Sequence, residues 1–161
     1  QKAPNYFLQK MEMGGMTLSQ QLFDGEKAVV VSQMGRQEFT EGAEFDAMKS
    51  QAVMNLEINY KDLGIEKELL GIETIDGKPA YKIEVTYPGD TQAFDYYCTD
   101  TALKIKTENP QGETVYSDYR EVEGILVAHR VEMEAGPQML EMRLDKIEIN
   151  TGLDDSVFVI E

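Results

Sequence analysis

The sequence has one cysteine, one histidine, half as many basic as acidic side chains, and no long apolar run. Each shortage removes a class of explanation. A single thiol, Cys98, closes no internal disulfide; in the extended run 94–99 it reads as a buried free thiol. With 30 acidic against 15 basic side chains the formal net charge is −15. Such a chain repels phosphate backbones and anionic headgroups, which argues against nucleic acid and against stable docking on an anionic membrane surface. No stretch of about 18 apolar residues occurs, so no integral membrane segment is expected.

The lone histidine, His129, sits among Ile125, Val127, Val131 and Met133. No His-Glu-x-x-His and no Cys-x-x-Cys accompanies it, so a packed, hydrogen-bonded histidine is the expectation rather than a catalyst or a zinc ligand. Ser32, Ser117 and Ser156 lack a nucleophile-elbow motif. Asp154-Asp155, with Asp145 upstream, does not match a calcium loop and reads as a solvated acidic turn. No glycine-rich phosphate loop opens a helix. The chain is therefore expected to carry no catalytic residue, no metal and no cofactor.

What the sequence does have is alternation. Tyr81, Ile83, Val85 and Tyr87 point one way, Lys82, Glu84 and Thr86 the other, a period of two that marks a strand with one buried face. Asp76-Gly77 just before it is a strong hairpin signal. Similar runs fall at 5–13, 16–23 (Met16, Leu18 and Leu22 inward), 28–34, 37–40, 91–99, 103–107, 113–122, 125–134 and 138–144. Short turns separate them, among them Gly14-Gly15, Asp24-Gly25, Gly35-Arg36, Pro88-Gly89-Asp90, Asn109-Pro110 and Ala135-Gly136-Pro137. This is the layout of an antiparallel meander. After Leu144 the apolar parity slips by one, to Ile147 and Ile149, which predicts a β-bulge. The period changes once: Phe45, Met48, Ala52 and Val53 fall at helical spacing, predicting a helix over 41–53 capped by Thr40. Residues 54–60 read as a covering segment or a short strand.

At 161 residues the chain fits one domain, 1–161. Eight to ten strands and one helix predict a mainly β (α+β) fold: a strongly curved antiparallel sheet, an unclosed half-barrel, with a helix over its concave face. The inside is either a filled core or a cavity for an apolar ligand. The side chains expected to line it are Tyr81, Ile83, Val85, Val127, His129, Val131 and Met133, with Met48 from the helix. The nine methionines fit ordinary core filling, and also a surface that adapts to a variable acyl chain. Arg36, Arg120, Arg130 and Arg143 all fall in polar contexts.

The run Gly71-Ile72-Glu73-Thr74-Ile75-Asp76-Gly77-Lys78-Pro79-Ala80-Tyr81-Lys82-Ile83-Glu84-Val85 resembles the central hairpin of the LolA/LolB-like group, periplasmic carriers that sort lipoproteins to the outer membrane. Tyr96-Tyr97 followed by Leu103-Lys104-Ile105, the run from Tyr116 to Ile125, and the ending Asp154-Asp155-Ser156-Val157-Phe158 are similar to that group too. The opening Lys2-Ala3-Pro4-Asn5, with Met13-Gly14-Gly15-Met16 and Phe23-Asp24-Gly25-Glu26-Lys27, resembles LolA-like domains of Bacteroidetes proteins. Some of those domains stand at the C-terminus of an insulinase-type zinc peptidase. The resemblance implies an unclosed antiparallel barrel lidded by helices, an apolar interior that holds a lipid or lipoprotein acyl chain, a periplasmic location and no enzymatic activity. It also implies a helix and a first strand upstream of Lys2, so a trimmed chain is expected. The alternative it carries is an accessory domain of such a peptidase, with the zinc site elsewhere.

Overall fold

Hairpin chemistry builds most of this chain. The structure, a computed structural model, describes residues 1–2, 5–53, 56–136, 138–149 and 151–159. The strands run β1 (Phe7–Met13), β2 (Met16–Phe23), β3 (Ala28–Ser32), β4 (Gly35–Phe39), β5 (Glu66–Ile75), β6 (Lys78–Tyr87), β7 (Thr91–Cys98), β8 (Lys104–Asn109), β9 (Gly112–Val122), β10 (Ile125–Ala135) and β11 (Gln138–Arg143). Helices α1 (Ala43–Ala52) and α2 (Leu56–Asn59) interrupt them, and a 3₁₀ turn spans Asp155–Phe158. The fold is mainly β and antiparallel, with no closed barrel. It has two sheets where the alternation alone predicted one: four strands in the order β1-β2-β3-β4, and seven in the order β11-β10-β9-β8-β7-β6-β5. They belong to two compact units, Gln1–Ile58 with Asn150–Glu161, and Asn59–Ile149.

In the first unit both faces of the sheet are covered. Phe23 and Ala28 pack with Met48 and Ala52 of α1, joined by Phe7, Val30, Phe39 and Phe45. On the other side Leu22 and Val29 pack with Phe158, joined by Tyr6, Leu8 and Val31. The Tyr6 and Phe158 rings stack with centroids 5.5 Å apart. A strand buried on both sides needs no alternation, which is why Val29-Val30-Val31 is an unbroken apolar run. Lys2 ties the chain's two ends together: its Nζ donates to the Leu153 carbonyl at 2.8 Å and to the Asp155 carboxylate at 2.5 Å.

In the second unit every strand pairs with its neighbours in sequence, so the sheet is a pure meander. The β5–β6 turn places Asp76 and Gly77 at φ 48° and 78°. Two consecutive left-handed residues make the tight turn whose twist suits a hairpin. Gly112 opens β9 at φ +137°, and a Cβ there would lie 2.8 Å from Glu134 Cβ. β5 carries a bulge between Leu69 and Gly71, and β7 meets β8 through another between Tyr96 and Tyr97.

Several local expectations are corrected. α1 starts after Gly42, not Thr40, and no side chain caps it. Glu44 and Asp46 in its first turn supply the negative charge that the helix dipole favours. Residues 56–59 form a helical turn rather than a strand, while 54 and 55 fall outside the described residues. The third turn is at Gln33-Met34, and Gly35-Arg36 already pair with Ser32 and Val31 in the ladder. Met16 is 67% exposed, being at the tip of its hairpin. The parity slip after Leu144 is not a bulge: β11 ends at Arg143, so Ile147 and Ile149 follow in irregular chain. The Ala3-Pro4 and Pro137 positions lie outside the described residues. Cys98 is free and half-buried.

Phe158 is 4% exposed and sits between Leu22, Val29 and Tyr6. Phe158→Ala is expected to lower unfolding free energy by about 3–4 kcal/mol, read from denaturant midpoints by circular dichroism. A loss below about 1 kcal/mol, the range of surface substitutions, would mean that the C-terminal turn is not part of this core.

Candidate ligand-binding face

Strand pairing sorts the second unit's side chains into two faces, because directly opposed residues point the same way. One row crosses all seven strands: Leu69, Ile83, Asp95, Thr107, Thr114, Met133 and Leu140. Beside it, Ile72 pairs with Tyr81 and Tyr81 with Tyr97, while Tyr116 pairs with Val131 and Val131 with Met142. Val85, paired with Ala93, is 1% exposed. The outer members are not covered: Leu69 is 60% exposed, Ile72 61%, Leu140 49% and Met142 44%.

The middle of that face is polar. Asp95 is 4% exposed and is held by three groups. The Thr107 hydroxyl donates to it at 2.6 Å, the Lys104 ammonium lies at 2.9 Å, and the Tyr97 hydroxyl donates at 3.5 Å. Lys104 also stands over the Tyr97 ring, 5.6 Å from its centroid. A charge this deep in an apolar surface persists only when paired and hydrogen-bonded, as here.

The side chains expected at the site fall into three places. Tyr81, Ile83 and Val85 lie together on β6. Val127, His129, Val131 and Met133 lie along β10, where the His129 Nδ1 is 2.9 Å from the Val127 carbonyl oxygen. β6 and β10 are four strand spacings apart in the sheet order, roughly 19 Å measured along it. Met48 is not brought to them: it is 4% exposed in the filled core of the first unit. The sequence reading missed Leu69 and the exposed parts of Ile72, Leu140 and Met142 as members of the face, and it missed Asp95 altogether. The alternation of Leu140 and Met142 was visible, but which strand they oppose depends on register.

The opposite face is a lattice of charges and rings. Lys82 reaches Glu73 at 2.9 Å and stands over Phe94, 4.8 Å from its centroid. Tyr96, 2% exposed, donates its hydroxyl to Glu108 at 2.8 Å. Lys106 pairs with Glu108 at 2.6 Å and with Glu113 at 2.9 Å. Burial pushes the Tyr96 phenol up, with the Glu108 bond adding to it. The Lys106 bond holds Glu108 below the usual carboxylate range, against burial and helped by Tyr96. Burial would lower the Lys106 ammonium, but its bonds to Glu108 and Glu113 raise it. Lys82 is raised by its hydrogen bond to Glu73.

Among the described residues no three His, Cys, Asp or Glu side chains gather to hold a metal ion. The Cys98 thiol is lowered by hydrogen bonds from the Thr101 side chain and the Asp100 and Thr101 backbone. Among the described residues no helix is long and apolar enough to cross a membrane.

No known family model matches this chain, and no curated protein does. Solved structures do. A DUF1329 family protein from Desulfovibrio piger superposes with a TM-score of 0.63 at 13% identity, over 96% of this chain and 80% of that one. A domain from Vibrio parahaemolyticus, described as an outer membrane lipoprotein-sorting protein, gives 0.60 at 15% identity, over 95% and 80%. A LolA superfamily protein from Nitrosomonas europaea gives 0.58 at 19% identity, over 92% and 73%. At these identities the likeness is one of fold, and the fold is LolA-like.

Two outcomes follow from the site's electrostatics. Asp95→Ala leaves Lys104 without its buried partner and is expected to cost roughly 2–3 kcal/mol, below the usual range for a buried pair because the Lys104 side chain keeps 20% of its surface in water. The double change Asp95→Leu with Lys104→Met is expected to cost less than Asp95→Ala alone; simple additivity in denaturant titrations would refute the coupling. The second outcome concerns pH. Glu108 is depressed, so its contribution is present above its ordinary 4.5 and lost as pH falls through the lower folded value. Lys106 is raised, so its contribution is full below its ordinary 10.5 and lost as pH rises through the higher folded value. The Tm difference between wild type and Lys106→Met is therefore expected to plateau in between and to shrink at both ends. A difference that is flat from acid to alkali would show that these groups do not set it.

Proposed function

We propose that this chain is a non-enzymatic binding domain of the Gram-negative periplasm or cell envelope that holds a lipid or lipoprotein acyl chain on the apolar face of its seven-stranded sheet. The observation that carries the reading is the exposure of large apolar side chains, Leu69, Ile72, Leu140 and Met142, on a face that also presents Tyr81, Ile83, Val131 and Met133. Exposed apolar flanks of this kind on either side of a polar centre, in a strongly charged chain, suit a binding face. Burying an alkyl chain there gains about 0.8 kcal/mol per CH₂. One acyl chain reaches about half the ~30 Å bilayer core, comparable to the roughly 19 Å between β6 and β10. The LolA-like fold supports the same reading, as do the sorting and superfamily names of two of the matched structures. None of the three carries a peptidase name, so the accessory-domain alternative rests on the resemblance of the opening residues alone.

The test is titration with a fluorescent fatty acid, alongside native mass spectrometry of the purified chain. Saturable binding is expected. Ile72→Glu and Leu140→Glu, both at exposed positions, are expected to weaken it tenfold or more with unchanged circular dichroism. A chain that emerges without lipid and ignores the probe would sink the proposal.

A further inference from the structure

The polar centre of the apolar face presents its two charges unequally. The Asp95 side chain keeps 5% of its surface in water and the Lys104 side chain 20%. The carboxylate is faced by donors, the Thr107 hydroxyl at 2.6 Å, the Lys104 ammonium at 2.9 Å and the Tyr97 hydroxyl at 3.5 Å. Of the charged pair, a molecule lying on this face therefore meets the lysine.

An ammonium offers N–H donors and no acceptor. A group laid against it must bring an acceptor oxygen, and the same spot disfavours a charged one. Lys104 already has its counter-ion at 2.9 Å, so the pair carries no net charge. A ligand carboxylate within reach of the ammonium would also stand close to the Asp95 carboxylate, and two carboxylates sharing a site repel. It would give up its hydration without gaining a cation of its own. The carbonyl oxygen of an ester accepts from the ammonium and avoids both penalties.

An attached chain has a path away from that oxygen. Lys104 pairs with Tyr97, Tyr97 with Tyr81, and Tyr81 with Ile72, in one row across β8, β7, β6 and β5. Directly paired residues share a face, so the row is continuous. Tyr81 and Ile72 at its far end are exposed. Three strand spacings are roughly 14 Å, close to the half-thickness of a ~30 Å bilayer core. We propose that Asp95 and Lys104 act as a charge filter that selects acyl chains in neutral ester linkage over free fatty acids. The ester carbonyl lies on Lys104 Nζ, and the chain crosses Tyr97 and Tyr81 to Ile72. This inference rests on the acyl-chain reading above and names the class of acyl ligand; the fatty-acid probe used there is the weaker binder of the two classes.

The experiment compares dodecanoic acid with its methyl ester, each below its aggregation concentration, by displacement of a neutral polarity-sensitive dye. The pH is about 8, well above the ordinary carboxylate range. Salt at ~0.5 M screens the chain's net charge of −15, so that only short-range repulsion discriminates. The ester is expected to bind about tenfold or more tightly than the acid. Asp95→Asn keeps an acceptor for Thr107 and removes the negative charge beside Lys104; it is expected to reverse the order of the two ligands. A purely structural Asp95 would weaken both alike. Independently, the stretching frequency of an isotope-labelled ester carbonyl, followed by infrared difference spectroscopy, is expected to fall on binding to the wild type and not on binding to Lys104→Met. Equal affinities in the wild type, or a tighter acid, would overturn the filter and leave the acyl reading standing. An ester preference that survives Asp95→Asn, or a carbonyl band that does not move on binding to the wild type, would overturn it too. Failure of both ligands to bind overturns the acyl reading and the filter together. Should either variant fail to fold by circular dichroism, the wild-type affinities and the wild-type carbonyl shift decide between these outcomes.

Discussion

The register between β6 and β9 is the constraint on which everything else in the second unit depends. A slip of one residue would turn Tyr81, Ile83 and Val85 over and bring Lys82 and Glu84 to their side. What opposes the slip is the charged face. Lys82 is matched to Tyr96, Tyr96 to Lys106, and Lys106 to Val115. Glu73, Glu108 and Glu113 stand within reach of the lysines. Each such cross-strand contact is worth only about 0.2–1 kcal/mol. Their value is in discrimination, because a slip of one residue would carry the lysines to the other face and part them from Glu73, Glu108 and Glu113. The polar face thus decides which side chains form the apolar one.

The two units use apolar side chains differently. In the first, the sheet is closed off on both sides, by α1 and by the C-terminal turn, and its large residues are spent on a filled core: Leu22, Phe23 and Val29 are at most 2% exposed. In the second, the apolar face is anchored by Val85 and Val131 but left open at Leu69, Ile72, Leu140 and Met142. Asp95, with Lys104 and Thr107, divides that face into two apolar flanks. A partly open surface costs folding free energy relative to a closed one, since apolar area stays in water. Its persistence here fits a surface kept for something that binds.

Much of the fold was legible in the sequence because hairpins are local. Asp76-Gly77 and the alternation on either side of it determine a strand, a turn and a strand without reference to anything distant. The partition into two sheets was not legible, since it depends on which runs fail to pair, and the alternation of β4 and β5 is the same in either arrangement. The helix start was misread because Thr40 has the right chemistry for a cap, while residues 40–42 form a bend and the helix begins only after Gly42. The site was half legible. Period two groups Val131 with Met133, and Ile83 with Val85, but it cannot say that Asp95 and Thr107 lie between them in one row.

The bulge in β5 has a bearing on how such a molecule behaves in a crowded solution. A sheet edge is a template, and one that borders an uncovered apolar face invites another copy to add itself strand by strand. At Leu69 to Gly71 the edge loses its regular spacing, and Glu66, Lys67, Glu68 and Glu73 put charge along the rest of it. An incoming strand would find neither continuous hydrogen bonding nor an uncharged border. The irregularity lets the chain keep a greasy surface on display without seeding a fibre.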